Sequence, residues 1–311
     1  MKRDRVLAYV AFAIVCIVWG TTYLAIRVAV RSIPPFLLTG MRFVLAGTML
    51  FAIARFRGES IPRGTRVIRE VILVALLMVG IGNLSVVWAE QWVPSGIAAL
   101  LVATAPFWAA LMERFRPDGE HIAMRRGLGM LIGFIGVALL VTPGATGALD
   151  LHFILGALAI QIGSIAWQYG TMRGKYNLAG VSPFMLSAFQ MIAGGLAVGL
   201  VGLSIGEAQR LTWTRDGIIG LAYLTTFGSL LAYTSYVYAL KKLPMTSMSM
   251  YAYINPLVAV LLGWLILKEQ LTWVSIAAMC IILGGVALVQ TGGRQSNRTV
   301  EIQVAREESA A

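Results

Sequence analysis

Two segments of the chain, residues 19–47 and 167–195, align without a gap: "WGTTYLAIRVAVRSIPPFLLTGMRFVLAG" and "WQYGTMRGKYNLAGVSPFMLSAFQMIAGG". Tryptophan begins both segments, and proline followed by phenylalanine recurs at the same place in each. The identical positions include Trp19 with Trp167, Pro35 with Pro183 and Gly47 with Gly195. Self-similarity at a fixed long offset indicates that the chain contains an internal duplication.

The composition is that of a membrane protein. Hydrophobic residues make up 58% of the 311 residues, charged residues make up 13%, and the mean hydropathy is +0.79. Apolar runs of about 20 residues, the length that a helix needs to cross a bilayer, predict ten transmembrane helices. These runs lie at 7–29, 35–55, 70–92, 94–113, 126–142, 152–172, 183–203, 217–240, 245–267 and 272–290. They are too long for barrel strands, so the predicted fold class is an all-α polytopic membrane protein, with its first apolar run retained as a span.

The repeat divides the ten predicted helices into two halves. Residues 1–148 hold the first five helices, residues 149–293 hold the second five, and the polar segment 294–311 is predicted to be a disordered cytoplasmic tail. Because five is an odd number, the second half enters the membrane from the opposite side, so the predicted repeats are inverted. Inverted repeats are typical of secondary transporters, whose binding site lies near the bilayer midplane.

A second aligned pair places a proline inside one helix of each half. "VPSGIAALLVATAPFWAAL" from residue 93 matches "LPMTSMSMYAYINPLVAVL" from residue 243, which aligns Pro106 with Pro256. Proline inside a helix removes a backbone hydrogen bond and kinks the helix. We therefore predict kinks at both prolines, which act either as parts of a moving gate or as rigid elements of shape.

Lysine and arginine are distributed unequally between the predicted loops. Nineteen of the 25 fall on the side that carries both termini, five fall on the other side, and Arg42 lies within a span. Cytoplasmic loops of membrane proteins are enriched in these residues, which predicts cytoplasmic N- and C-termini. The net charge of +11 therefore reflects topology. The basic residues of the chain form no compact module of the kind that binds nucleic acid.

The sequence lacks the motifs of catalysis and of metal binding. Cys16 and Cys280 lie in different spans, at a spacing that predicts neither a disulfide framework nor a metal site. HExxH, GxSxG and Walker motifs do not occur in the sequence, nor do paired acids within a span. We therefore predict that the protein is not an enzyme and that it uses no metal and no cofactor.

Taken together, these segments resemble the EamA branch of the drug/metabolite transporter superfamily, which consists of ten-helix permeases of the bacterial inner membrane. The resemblance runs from "IVWGTTYLAIR" through "VPSGIAALLVATAP" to "YAYINPLVAVLLGWLILKEQLTW" and "GGVAL". It implies that helices 1–4 and 6–9 surround a central cavity while helices 5 and 10 pack outside. It also implies export of small metabolites, amino acids among them, or of amphipathic drugs. The segment "MERFRPDGEH" after Pro106 departs from the family pattern.

Arg42 lies about 10 Å deep in the second predicted span, at 1.5 Å per residue. A charge at that depth is costly and needs a partner, which makes it a functional candidate. Glu90 is the acid at a similar depth, and the second half replaces the two charges with Gln190 and Leu240. Because both charges are absent together, we predict an Arg42–Glu90 ion pair near the outer side of the cavity. Two alternatives are a structural arginine bound to helix carbonyls and an arginine that binds a substrate carboxylate.

Polar and aromatic side chains near the middle of the spans could form a small-molecule site, which needs a mostly apolar pocket with a few hydrogen-bonding groups. Each of them could instead hold neighbouring helices together. Glu90 is also the candidate proton carrier if transport is coupled, and facilitated export fits the sequence equally. The predicted cavity residues are Trp19, Tyr23, Asn83, Trp88, Trp167, Gln168, Gln190, Tyr233, Tyr251 and Asn255.

The sequence therefore predicts a secondary transporter of the cell inner membrane that exports small molecules by alternating access. Its expected partners are a small-molecule substrate and the lipid bilayer, and nucleic acid is not among them. The alternative is a channel or a lipid-handling membrane protein without coupled transport.

Overall fold

The structure is a computed structural model that describes residues 2–114, 124–140, 150–243, 248 and 251–288. Within these segments every regular element is helical, including a short 3₁₀ helix at Glu207–Arg210. The remaining helices are α1 (Lys2–Ala29), α2 (Pro35–Phe56), α3 (Thr65–Ala89), α4 (Ser95–Val102), α5 (Ala105–Arg114), α6 (Met124–Leu140), α7 (Leu151–Asn177), α8 (Pro183–Ser204), α9 (Arg215–Lys242), α10 (Tyr251–Leu267) and α11 (Trp273–Leu288).

Seven helical units are long and apolar enough to cross a membrane, namely α1, α2, α3, α7, α8, α9 and the pair α4–α5. Shorter apolar stretches lie in α6, α10 and α11. The predicted all-helical architecture is thus confirmed for the part of the chain that the structure describes. The count of ten spans and the inverted repeats stay predictions. The segment 294–311 and the boundary at residue 148 lie outside the described residues.

The predicted span 94–113 is built from two helices. α4 ends at Val102, and α5 begins at Ala105 after a turn. Pro106 lies in the first turn of α5, where its missing N–H removes no intrahelical hydrogen bond. Pro256, by contrast, lies inside the described helix α10. The two aligned prolines therefore occupy different local structures, and a gating role for either stays a prediction.

α3 and α9 each contain a stretch of π-helix, in which the backbone hydrogen bonds span five residues and the turn is wider. The π-helical stretches are Leu76–Asn83 in α3 and Leu224–Tyr233 in α9. The hydrophobic pattern predicted uninterrupted α-helices at both places. Wide turns of this kind occur frequently at functional sites, and both of these border the cavity described below.

α2 and α8 cross in antiparallel directions at glycines that let the two backbones touch. A Cβ atom added to Gly40 would lie 2.6 Å from the Cα atom of Gly199. One added to Gly195 would lie 2.9 Å from the backbone nitrogen of Val44. Small residues permit this close approach between helices in lipid, where association depends on close packing. The crossing joins the first half of the chain to the second.

Two carboxylates tie the ends of this helix pair together. Glu207, which follows α8, accepts a hydrogen bond from the backbone N–H of Leu37 in the first turn of α2, at 2.9 Å. Glu59, which follows α2, accepts a hydrogen bond from the hydroxyl of Ser182, the N-cap residue of α8. Helix N-termini expose unpaired N–H groups and favour negative charge, so each carboxylate stabilises the start of the partner helix.

The helix bundle has two ends, which we call the Pro35 end and the Pro183 end after the first residues of α2 and α8. At the Pro183 end, Arg173 of α7 binds Glu70 of α3 through two hydrogen bonds, from Nε at 2.6 Å and from Nη2 at 2.7 Å. Lys241 of α9 donates hydrogen bonds to backbone carbonyls between α7 and α8. These contacts hold the Pro183 end closed in this structure.

Replacement of Glu207 by alanine should lower the free energy of unfolding by about 1–3 kcal/mol, because a buried N–H that loses its acceptor carries the full desolvation cost. The side chain of Glu207 is only 1% exposed, so water cannot readily replace it. Thermal unfolding of the detergent-purified protein measures the change. Glu207→Gln keeps an acceptor oxygen and should retain most of the stability. Equal losses in the two variants would contradict the capping role.

Candidate functional site

A cavity lies in the interior of the bundle. Its walls come from α1, α2, α3, α4, α5, α7, α9 and α10, so both halves of the chain contribute. The π-helical stretches supply Gly82 and Asn83 from α3 and Gly228 and Tyr233 from α9. The long helices thus position a shared interior site in the manner expected for a transporter.

Arg42 projects from α2 into this cavity and is only 2% exposed. Its Nε atom donates a hydrogen bond to the hydroxyl of Ser229 at 2.7 Å, and its guanidinium lies over the ring of Phe43 with the carbon 4.8 Å from the ring centroid. Nη1 is buried and has no hydrogen-bond partner. The guanidinium is therefore fixed in direction while one of its nitrogens remains available to a ligand.

Two asparagines add further unpartnered polar atoms to the cavity. Oδ1 of Asn83 is buried without a hydrogen bond, and so are both Oδ1 and Nδ2 of Asn255. Buried side-chain polar atoms normally have a protein or water partner, and an exception requires an explanation. These atoms and Arg42 Nη1 together offer donors and acceptors to a polar ligand or to water within the cavity.

Aromatic rings form the wall of the cavity on the side of the Pro183 end. Trp19 of α1 lies at the centre of this group, with its ring centroid 5.5 Å from that of Trp167, 5.0 Å from Tyr236 and 5.4 Å from Tyr251. The indole N–H of Trp19 donates to the carbonyl of Gly228 at 3.2 Å. Aromatic pairs at such distances stabilise packing beyond the area that they bury. Three of these rings, Trp19, Trp167 and Tyr251, line the cavity together with Arg42 and the asparagines.

Below this wall the bundle is densely packed toward the Pro183 end. Cys16, Val237 and Leu240 belong to one buried apolar cluster with Tyr236 and Tyr251. Cys16 is 3% exposed and lies one helical turn from Trp19. Buried apolar side chains therefore pack beside the aromatic group toward the Pro183 end.

Glu90 lies at the other end of the cavity region, at the end of α3, and is fully buried. Neither carboxylate oxygen has a hydrogen-bond partner. Arg27 of α1 donates to the backbone carbonyl of Glu90, and Arg42 interacts with Glu90 only electrostatically through space. Among the described residues the direct Arg42–Glu90 ion pair is therefore not formed in this structure, and the hydrogen bond from Arg42 Nε goes to Ser229. Sequence reasoning assigned Arg27 to a loop and did not identify it as a neighbour of Glu90.

The structure brings most of the predicted cavity residues together. Three lie elsewhere: Trp88 packs on Trp92 with ring centroids 4.8 Å apart, Gln168 is buried in α7, and Gln190 accepts a hydrogen bond from Tyr233 at 3.0 Å. None of the three is among the residues that line the cavity in this structure, and a role for them in binding stays a prediction. The predicted residues that do line the cavity are Trp19, Tyr23, Asn83, Trp167, Tyr233, Tyr251 and Asn255, together with Arg42.

Several lining residues were not among the predicted ones. Thr22, Ser164 and Gly163 face the cavity, as do Gly82 and Gly228 in the π-helical stretches. Gly82 and Gly228 do not align with each other at the offsets of the repeat, so the repeat gives no signal for them. The apolar lining residues carry no sequence signal that separates them from ordinary buried residues.

A comparison with protein families assigns the chain. The sequence model of the EamA-like transporter family matches residues 6–142 and matches a second time at residues 154–291. The chain belongs to the EamA-like transporter family. The two EamA segments correspond to the two halves of the internal repeat, and together they cover most of the chain.

EamA relatives occur in several kinds of organism. The chain is 35% identical over 277 residues to YedA, described as an uncharacterized inner membrane transporter of Escherichia coli K12, with 89% of this chain and 88% of YedA aligned. A chloroplastic WAT1-related protein of Arabidopsis thaliana is 26% identical over 288 residues, which cover 87% of this chain and 66% of that protein. YoaV, an uncharacterized transporter of Bacillus subtilis, is 22% identical over 273 residues, which cover 88% and 92%.

A solved crystal structure has the same fold as this EamA protein. It superposes with a TM-score of 0.69 at 20% sequence identity, covering 95% of this chain and 99% of the other. The family and its relatives establish a general role in membrane transport, and the apolar helices of the structure are suited to spanning a membrane.

Proposed function

We propose that this protein is a secondary transporter that exports small metabolites or amphipathic drugs across the cytoplasmic membrane by alternating access. The observation that carries the proposal is the interior cavity, which both halves of the chain line and which contains buried polar atoms without partners. Such a site suits a transporter because the cargo, once bound, supplies the missing hydrogen bonds.

The proposed architecture is ten spans in two inverted repeats. Three pairs of features in the two halves support it: the π-helical stretches of α3 and α9, the antiparallel crossing of α2 and α8, and the reciprocal capping by Glu59 and Glu207. The two matches to the family model support it as well. In alternating access, one such half rocks against the other around a fixed binding site.

The proposed orientation places the Pro183 end and both termini in the cytoplasm. Its support is the distribution of basic residues, since Arg173 and Lys241 lie at the Pro183 end with most of the other loop lysines and arginines. In this orientation the structure represents a state closed toward the cytoplasm. Glu90 lies near the external side and is the candidate proton carrier, because it is a buried acid whose oxygens lack partners.

Proteoliposomes loaded with a mixed pool of amino acids, organic acids and other small metabolites test the transport function. We expect selective and saturable loss of a few compounds, and stimulation of that loss when the same compound is present outside. Mass spectrometry measures the loss with and without a pH gradient, and the comparison shows whether protons drive it. Unsaturable flux would indicate a channel and contradict the transporter. No flux from vesicles that contain folded protein would refute transport of these compounds.

A variant that fills the cavity is the matched control for this experiment. A Cβ atom on Gly228 would lie 2.8 Å from Nη2 of Arg42 and 2.9 Å from Cγ2 of Thr22. Gly228→Leu should therefore block the site and abolish the selective loss. Gly180 has no atom within 4 Å of an added Cβ, so Gly180→Leu should transport normally.

A further inference from the structure

We propose that the cavity selects small organic monocarboxylates, with the carboxylate bound by Arg42 and the apolar body packed against Trp19 and Trp167. The proposal rests on the proposed transport function and adds to it the substrate class of the same site. It separates monoanions from zwitterionic amino acids, from cations and from phosphate esters.

The charge of the cavity favours an anion. Among the described residues that line it, Arg42 alone carries a formal charge, and none is acidic. A buried cation without a bonded counter-charge is unfavourable in a membrane interior, and such a residue usually pairs with an anion or faces its ligand. Glu90 is not bonded to Arg42 in this structure, since neither of its carboxylate oxygens takes part in a hydrogen bond. A bound carboxylate would supply the missing partner.

The contacts around Arg42 orient its guanidinium toward a ligand in the cavity. Ser229 accepts the hydrogen bond from Nε, and the ring of Phe43 lies against the guanidinium. Gly228 has no side chain, which leaves space beside Nη2. Nη1 is left buried and unpartnered. A planar guanidinium with its direction fixed in this way is suited to a planar carboxylate, because charge-assisted hydrogen bonds are stronger than neutral ones.

One arginine neutralises one negative charge, which argues against other classes of anion and against zwitterions. A phosphate monoester carries close to two negative charges at neutral pH, and the second would be buried without a cation. The ammonium group of an amino acid adds a positive charge, for which the described lining residues offer neutral hydroxyl, amide and aromatic groups and no acidic side chain. A monocarboxylate buries neither a second negative charge nor an ammonium group.

The remainder of the site suits an apolar body that carries few polar groups. The indole rings of Trp19 and Trp167 lie edge to face with their centroids 5.5 Å apart, and both line the cavity. Oδ1 of Asn83 and both polar atoms of Asn255 could bind one hydroxyl or keto group of the substrate. The proposed substrates are therefore aromatic or branched monocarboxylates, with or without a hydroxyl or keto group.

Five compounds that share a benzene ring and differ in charge test the proposal: 3-phenylpropionate, phenylalanine, phenethylamine, 3-phenylpropionamide and phenyl phosphate. The thermal unfolding of the purified full-length protein is followed against the concentration of each. We expect 3-phenylpropionate to bind at least about tenfold more tightly than the other four, the scale of one charge-assisted hydrogen bond. Counterflow in proteoliposomes, with protein-free vesicles to measure passive leak, should rank the compounds in the same order.

Variants connect the selectivity to Arg42. Arg42→Gln should weaken binding of 3-phenylpropionate by about 10- to 100-fold, and Ser229→Ala should weaken it by a few-fold because the guanidinium loses its anchor. Arg57→Gln is the matched control, since Arg57 also lies over a phenylalanine ring, at 4.9 Å from Phe184, but outside the cavity. It should bind normally. If Arg42→Gln does not fold, Arg42→Lys keeps the charge without the planar fork and should still weaken binding.

The outcomes separate this proposal from the proposed function. Saturable transport of the amine, the amide, the amino acid or the phosphate ester in preference to the carboxylate would overturn the monocarboxylate class and leave transport intact. Unchanged binding of the carboxylate by Arg42→Gln would overturn the role of Arg42. If none of the five compounds binds, the proposal fails, and the mixed-pool experiment decides the transport function by itself.

Discussion

Gly40→Ala should destabilise the protein by about 3 kcal/mol, whereas Gly199→Ala at the same helix crossing should cause little loss. The added Cβ on Gly40 would lie 2.6 Å from the backbone Cα of Gly199 and 3.0 Å from its nitrogen, so α2 and α8 would have to move apart. The Cβ added to Gly199 would lie 3.5 Å from the Cα of Gly40, an ordinary contact. Both changes improve helix propensity equally. The difference in stability between the two variants therefore measures the cost of the added Cβ atom at the helix crossing.

Thermal unfolding and the yield of monodisperse protein after purification measure this difference. We expect Gly40→Ala to give less folded protein and a lower unfolding temperature, and Gly199→Ala to behave like the unmodified chain. If the two variants were equally stable, the close antiparallel crossing of α2 and α8 would be wrong. Such a result would also weaken the argument that the two halves meet there.

Glu70→Gln should raise the reactivity of Cys16 toward a membrane-permeant maleimide by about 5- to 30-fold. Arg173 binds Glu70 with two hydrogen bonds, and Asn177 adds a third at 2.8 Å. Loss of one partner from this network costs about 1–2 kcal/mol, which changes an equilibrium constant by about 5- to 30-fold. If the network closes the Pro183 end, its loss favours states in which Cys16, now 3% exposed, meets solvent.

The measurement uses a Cys280→Ser background, because Cys280 is exposed and would otherwise react first. Glu207→Gln is the matched control, since it alters a carboxylate hydrogen bond at the Pro35 end and should leave the labelling of Cys16 unchanged. Equal labelling in Glu70→Gln and the parent would show that the Arg173–Glu70 contact does not control closure. An equal increase in the Glu207→Gln control would indicate general loosening of the bundle.

The helical architecture could be predicted from the sequence because the length of an apolar run reports directly on a membrane span. Local departures from the α-helix could not. The break between α4 and α5 leaves the hydrophobic run intact, so residues 94–113 read as a single span. The π-helical stretches Leu76–Asn83 and Leu224–Tyr233 likewise keep their apolar composition. Such features depend on which backbone hydrogen bonds form, and composition does not record that choice.

The candidate site was predictable where chemistry made a residue conspicuous. Arg42, Asn83 and Asn255 are costly in lipid unless they serve a purpose, and all three line the cavity. Gln190 was equally conspicuous, yet its amide is used by Tyr233. The position of a polar residue along a span gives its depth, but its direction around the helix depends on packing. Equal depth likewise does not by itself bring two side chains into contact, and Arg42 and Glu90 share no hydrogen bond in this structure.

The wide turns of α3 also set the rotational phase of that helix. Successive side chains of an α-helix advance by about 100°, and a π-helical stretch shifts the count between the two flanking segments. Before the stretch, Ala75 packs against Gly194 of α8, whereas beyond it Ser85 and Ala89 face Gly163 and Gly156 of α7. A single helical wheel drawn through α3 therefore assigns its later faces wrongly.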